Sequence, residues 1–352
     1  MKGLLTKVFV LIIGGAFLTA CNRKDDSQPT ALKRYILSNE YNNTTNSAIV
    51  KYFVDDVPTT VGDPSVSRIY GEDLEVSGND VYVLASRQPI SGGSYSAVIY
   101  KNGVELQVVQ LQPGVYYNCL AVSGNDIYLA GMEYPSALSP KVILWKNGTV
   151  TSITQNTGSN ATDARPYDMT VVGGDVYIAG SETATSSPYN KLPRYWKNGT
   201  AVTLSSNPGV YSAIHRIVVD GDNVYCAGQS EDKPIYWKNG TPTFLSTASG
   251  WCYGITVKGS DVYTAGDVAT ALNVYNASTW KNGTQTMLTN INFQGTASVY
   301  GIGVDGNDVY VVGSIPEASG GSAKSVYWKN GVAKELPTIA GNNGYAYRIV
   351  VK

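Results

Sequence analysis

The residues of this 352-residue chain most able to do chemistry stand in adjacent pairs that recur along it: Glu72-Asp73, Asn118-Cys119, Tyr167-Asp168, His215-Arg216, Tyr253-Gly254, Tyr300-Gly301 and Tyr347-Arg348. Such a set could act on a sugar bond. Glu72, Asp73 and Asp168 would then supply carboxyl groups, and His215 or a ring tyrosine would move the proton. The same set could instead hold a ligand unchanged, because aromatic rings give apolar and π contact while a few charges fix orientation. Tyr70, Tyr116, Tyr117, Arg165, Trp251 and Tyr345 stand just outside the pairs. Trp251 is set apart further, since the other tryptophans all begin the phrase "WKNG".

Other chemistries find less support. His215 is the only histidine, which excludes a multi-histidine zinc site, and Cys119, Cys226 and Cys252 are too scattered to replace one. Asp220-Gly221-Asp222-Asn223 lacks the ligand spacing and distal glutamate of a calcium loop. We therefore expect neither metal nor cofactor. Lys plus Arg number 26 against 27 Asp plus Glu, so there is no basic excess to attract nucleic acid. Beyond Cys21, an odd number of cysteines spells no disulfide framework. Cys226 and Cys252 could pair, or could serve as small apolar fillers.

The elements that must position these residues are visible as two interleaved repeats. One is "VSGNDVYVLAS" at Val76, "VSGNDIYLAGM" at Val122, "VVGGDVYIAGS" at Val171, "VDGDNVYCAGQ" at Val219, "VKGSDVYTAGD" at Val257 and "VDGNDVYVVGS" at Val304. Its tyrosines, from Tyr82 to Tyr310, lie 46, 49, 48, 38 and 47 residues apart. The other is "WKNG" at Trp145, Trp196, Trp237, Trp280 and Trp328. Each unit reads as four short strands, A to D. Strand A carries apolar residues two apart, and strand B is apolar on both faces. Asn-Gly joins C to D, because a type I′ turn needs positive φ at both central residues. The tryptophan before that turn is then a packing residue.

The chain ends complete the count. "RYILSNE" supplies a strand B with Tyr35 in the tyrosine position. "VKYFVDD" supplies a strand C with Phe53 for Trp and Asp55-Asp56 for Asn-Gly. "YRIVVK", Tyr347 to Lys352, is a lone strand A. Seven strands of each type result. This arrangement resembles the β-propellers, in which a last strand closes the ring with the first. The resemblance implies an all-β, seven-bladed propeller over residues 33–352, with four-stranded antiparallel blades. The C-terminal strand would join an N-terminal three-stranded blade. It also implies that strand A is innermost, so the paired residues would line the central channel.

Residues 1–20 carry Lys2 and Lys7, an apolar run from Val8 to Leu18, and small residues before Cys21. That is the layout of a secretory signal, too short to span a bilayer. "LTAC" resembles the lipobox of bacterial lipoproteins, which implies a lipid anchor on Cys21. Residues 21–32 read as a polar tether, and Lys24-Asp25-Asp26 resembles the export signal of Gram-negative surface lipoproteins. The expected address is the outer membrane, facing outward. Removing residues 1–20 takes away two lysines and no acid, moving the net charge from −1 to −3.

Strand direction sorts the connections. The A–B and C–D turns are short and constant and share one face, whereas the B–C and D–A loops vary and share the other. Ligand residues concentrate on variable loops over rigid scaffolds. The leading expectation is a noncatalytic, monomeric surface lipoprotein that binds a glycan or a protein there, through Trp251, Tyr253, His215, Tyr167, Tyr300, Tyr347, Arg216, Arg348, Asp73, Asp168 and Glu72. A glycoside hydrolase or polysaccharide lyase, and a scaffold for protein assembly, are the alternatives. The address has a direct check: Cys21→Ser should abolish incorporation of labelled fatty acid and release the protein from the membrane fraction, whereas a variant that stays labelled refutes the anchor.

Overall fold

The computed structural model describes residues 32–352 except 110, 135–139, 155–162, 184–190, 205–206, 208–209, 272–273, 289–296 and 317–320. The expected signal, Cys21 and the expected tether up to residue 31 lie outside the described residues.

The described chain is all-β and forms seven four-stranded antiparallel sheets. Their inner strands are Asn343–Val351 in blade 1, Ser67–Ser77 in blade 2, Val115–Ser123 in blade 3 and Ala164–Val172 in blade 4. Ser212–Asp220, Gly250–Lys258 and Ser298–Asp305 serve blades 5, 6 and 7. These strands pack on one another in that order around a ring, and Asn343–Val351 also meets Ser67–Ser77. The expected closure is present: Asn343–Val351 pairs antiparallel with Arg34–Asn42, from Arg34 opposite Val351 to Tyr41 opposite Asn343.

The two repeated phrases turn out to be halves of one device. In blade 4, Asn198 and Gly199 take φ of 48° and 81°, as a type I′ turn requires. The Asn198 side chain accepts from the Val176 amide at 2.8 Å and donates to Asp175 at 2.7 Å. Lys197 pairs with Asp175 at 2.9 Å and lies 5.1 Å from the Tyr177 ring centre. Thus "DVY" and "WKNG" lock two turns of the same blade together. The arrangement recurs at Asp80 with Lys101, Asp126 with Lys146, Asp261 with Lys281 and Asp308 with Lys329. In blade 5 Asn223 takes the place of the aspartate. These pairs are solvated, so each contributes little stability. Together they make the constant face a surface of matched charges.

Burial between blades holds the ring. Each of seven apolar clusters is shared by two neighbouring blades. The "WKNG" tryptophans are fully or nearly fully buried in them, and Tyr100 and Phe53 substitute in blades 2 and 1. Alternation along strand B separates the cysteines: Cys226 faces the junction of blades 4 and 5, and Cys252 that of blades 5 and 6. Both are free, as is Cys119. Trp237→Ala should therefore lower unfolding free energy by about 3–5 kcal/mol, and Trp251→Ala by clearly less. Urea denaturation checks both; equal losses would make Trp251 a core residue.

Candidate functional site

One backbone feature positions the whole set. In every inner strand the ladder to strand B skips one residue, and the skipped residues are Glu72, Asn118, Tyr167, His215, Tyr253, Tyr300 and Tyr347. Each is the extra residue of a β-bulge, which breaks strict alternation and re-aims side chains. Two successive residues per blade can then serve the channel. The bulge presses the inner strand onto strand B. A β-carbon on Gly131, Gly180, Gly228, Gly266 or Gly313 would overlap a carbonyl oxygen of the inner strand. Glycine at this strand B position, after alanine in four blades and after Val312 in blade 7, is required by that close approach. Blades 2 and 1 carry Ala85 and Ser38 there, and the small residues Gly71 and Ala346 face them.

All the bulged residues except Asn118 line an upper tier around a cavity of about 960 Å³. Aromatic contact runs unbroken along one side of it. Tyr167 meets His215 edge-on at 5.7 Å, His215 stacks on Tyr253 at 4.9 Å, and Tyr253, Tyr300 and Tyr347 follow at 6.1 and 4.9 Å. Tyr345, Tyr41, Tyr70 and Tyr95 continue the arc. His215 and Tyr253 cover each other's faces, at an interplanar angle of 12°. A ligand there meets ring edges and hydroxyls. Trp251 differs: half-buried at the cavity wall, it packs on Tyr275 at 4.9 Å and stays outside the arc.

A lower tier holds buried charge. Arg348 reaches both Asp73 and Asp168 at 3.1 Å, and Arg216 reaches Asp168 at 3.1 Å. Backbone amides complete the carboxylates: Asp73 accepts from Leu74 and from Leu120 of the next blade, and Asp168 from Ile217 of the next blade. Burial raises the Asp73 carboxyl above its ordinary value against the pull of Arg348 and Arg216. Burial would lower Arg348, but Asp73 and Asp168 outweigh it and hold the guanidinium above its ordinary value.

The sequence-predicted residues thus divide. Glu72, Tyr167, His215, Arg216, Trp251, Tyr253, Tyr300 and Tyr347 line the upper cavity. Asp168 and Arg348 line a second cavity of about 210 Å³, which Arg216 also touches, and Asp73 lines neither. Asn39, Tyr41, Tyr95, Tyr211 and Gln229 join the upper wall without having been singled out from sequence. Among the described residues lining that cavity, Glu72 is the one carboxylate and Arg216 the one guanidinium. Glu72 accepts from the Tyr116 hydroxyl, and burial raises its carboxyl despite that bond. Burial also lowers His215 to about 4, so the imidazole is neutral at ordinary pH. No group of ligands that could hold a metal occurs among the described residues.

Asp267, behind this wall, also escaped the sequence reading. It is 6% exposed, accepts from the Val299 amide at 3.1 Å, and is pushed up by burial to about 7. Its folded pKa exceeds the unfolded value, so the folded state holds this proton more tightly. The stability this confers is complete below about pH 4 and lost as pH rises through about 7. His215 acts oppositely, its contribution being lost as pH falls from about 6.5 to 4. Comparing Asp267→Asn with wild type isolates the first effect. The variant should gain on wild type by a few kcal/mol between pH 4 and 8 in urea titrations; a difference independent of pH would refute the assignment.

No protein-family model and no curated protein sequence matches this chain. Solved structures do. A Mycobacterium tuberculosis puromycin-hydrolyzing peptidase aligns at 10% identity and TM-score 0.53, over 88% of this chain and 54% of its own. The Pyrococcus horikoshii acylaminoacyl peptidase aligns at 12% and 0.46, over 77% and 46%. TolB from Acinetobacter baumannii aligns at 13% and 0.40, over 81% and 82%. The chain spans about half the length of the peptidases it matches. At these identities the likeness is one of fold.

Proposed function

We propose that this protein is a noncatalytic receptor, anchored through Cys21 to the outer membrane, that takes a glycan into the upper cavity. The observation that carries the reading is the combination in that wall of a continuous aromatic arc with a half-buried Trp251 outside it. Sugars offer apolar C–H faces and many hydroxyls, which match an indole surface and a rim of phenol hydroxyls. The cavity's volume of about 960 Å³ stands at the upper end for small-ligand sites, roughly 300–1,000 Å³. It would accept more than a single sugar unit. Strand Arg34–Asn42 begins beside the Asp55-Asp56 turn on the constant face, where Arg34 binds both aspartates. A tether arriving there favours an outward-facing cavity.

Binding is favoured over hydrolysis because two of the three candidate acids are engaged. Asp73 and Asp168 are held by arginines and backbone amides. An enzymatic reading would rest on Glu72, whose raised carboxyl and bond from Tyr116 suit a proton donor. The binding reading is tested with Trp251→Ala and Tyr253→Ala on a glycan array. The double variant should lose the glycans that wild type retains, by at least roughly tenfold if the Trp251 ring contributes as a stacked aromatic does and Tyr253 as a hydrogen-bonding hydroxyl does. A binding profile identical to that of wild type would reject this wall as the site.

A further inference from the structure

The upper cavity carries an anion-recognising group that the protein itself holds through one nitrogen. Of the five N–H donors of a guanidinium, Arg216 commits one, on Nη1, to Asp168 at 3.1 Å. Its side chain is 18% exposed and stands at both cavities, at the boundary between the tiers. The nearby carboxylates have little capacity left for it. Asp168 Oδ1 already takes both arginines and its Oδ2 takes the Ile217 amide, while Asp73 takes Leu74, Leu120 and Arg348. Tyr253, next along the wall through His215, also lines this cavity.

We propose that the ligand is an acidic glycan, whose terminal sugar carries a carboxylate that docks on the outer edge of Arg216, with Tyr253 donating beside it. The proposal rests on the glycan reading of the cavity and names the class of sugar. A guanidinium presents parallel donors that fit a carboxylate two at a time. Held rigid by Asp168, the Arg216 fork is already ordered before the ligand arrives. Glu72 does not oppose this, for it belongs to blade 2, three blades round the ring from Arg216 in blade 5, and is engaged by Tyr116. A peptide C-terminus would offer the same carboxylate. The remaining wall, however, is mostly phenol hydroxyls and amides with Leu111 and Val115 as its aliphatic members, which suits a polyhydroxylated chain better than apolar side chains.

The test is calorimetric titration of the full-length chain with a galacturonic acid trisaccharide and with the galactose trisaccharide of the same linkage. The acidic sugar should bind roughly ten- to a hundredfold more tightly, as a charge-assisted hydrogen-bonded pair implies. Arg216→Gln should erase that preference, bringing the ratio of the two affinities to about one. Arg216→Lys keeps the charge without the fork and should retain only part of the preference; it replaces the glutamine variant if that one fails to fold. Equal binding of the two trisaccharides overturns the acidic-sugar assignment alone. Absence of binding by both overturns the glycan reading beneath it. Displacement of the acidic trisaccharide by a short peptide with a free C-terminus, at equal concentration, also overturns the proposal.

Discussion

The extra residue in each inner strand is the constraint on which this structure depends. A bulge leaves ladder groups unpaired, and an unpaired amide or carbonyl away from water must find a partner. Here the partners come from the neighbouring blade. Asn39 of blade 1 bonds both the amide and the carbonyl of Gly71. Asp73 takes the Leu120 amide, Asn118 donates to the Pro166 carbonyl, Asp168 takes the Ile217 amide, and Asp267 takes the Val299 amide. At five of the seven junctions, backbone groups of one blade are thus stapled by a side chain of its neighbour. Bonds to a carboxylate contribute about 1.5–3 kcal/mol each. Apolar clusters fill the same junctions, but burial is non-directional, and the staples fix the register in which blades meet.

Those staples explain why charge is buried at the axis. A carboxylate buried alone would be expensive, so Asp73 and Asp168 require the arginines that stand between them. Arg348 comes from the C-terminal strand, and it reaches aspartates of blades 2 and 4. The residue that closes the ring in sequence therefore also ties it across the channel. Removing one partner of such a cluster typically costs about 3–5 kcal/mol, because the others are left uncompensated. Asp267 has no arginine beside it among the described residues, and burial instead raises its carboxyl to about 7, so that it holds its proton further up the pH scale.

Much of the architecture was legible because its determinants are local. Asn-Gly turns, tryptophans before them and strand B tyrosines each act within a few residues, so the blade count and closure followed from spacing. The equivalent channel positions were legible too, since six lie ten residues before a strand B tyrosine and Tyr347 aligns with them. Their directions were not. A bulge shifts alternation by one, so period-two reasoning cannot tell Glu72 in the cavity from Asp73 in the ion cluster. The footprint of the bulge was nevertheless present in the repeated glycine after alanine in strand B, read only as part of the phrase. Tyr41 and Tyr211 escaped because they reach the site from outside the inner strands, and Asp267 because it ends a strand B phrase whose equivalents carry no acid.

The fate of adjacent acids shows how the scaffold divides structure from recognition. Glu72 and Asp73 are neighbours in sequence, yet the bulge gives the first a cavity and a tyrosine hydroxyl, and the second two amides and an arginine. The same separation recurs in blade 5, where His215 joins the aromatic arc and Arg216 joins the ion cluster. Arg216 crosses the boundary because its side chain is long enough to bind Asp168 with one nitrogen and still line the upper cavity. The lower tier thereby orders a donor that the upper tier can use. A rigid ring built to satisfy its own backbone presents one preorganised cationic edge within a wall of neutral hydroxyls and rings, and preorganisation of that kind lowers the entropy lost on binding.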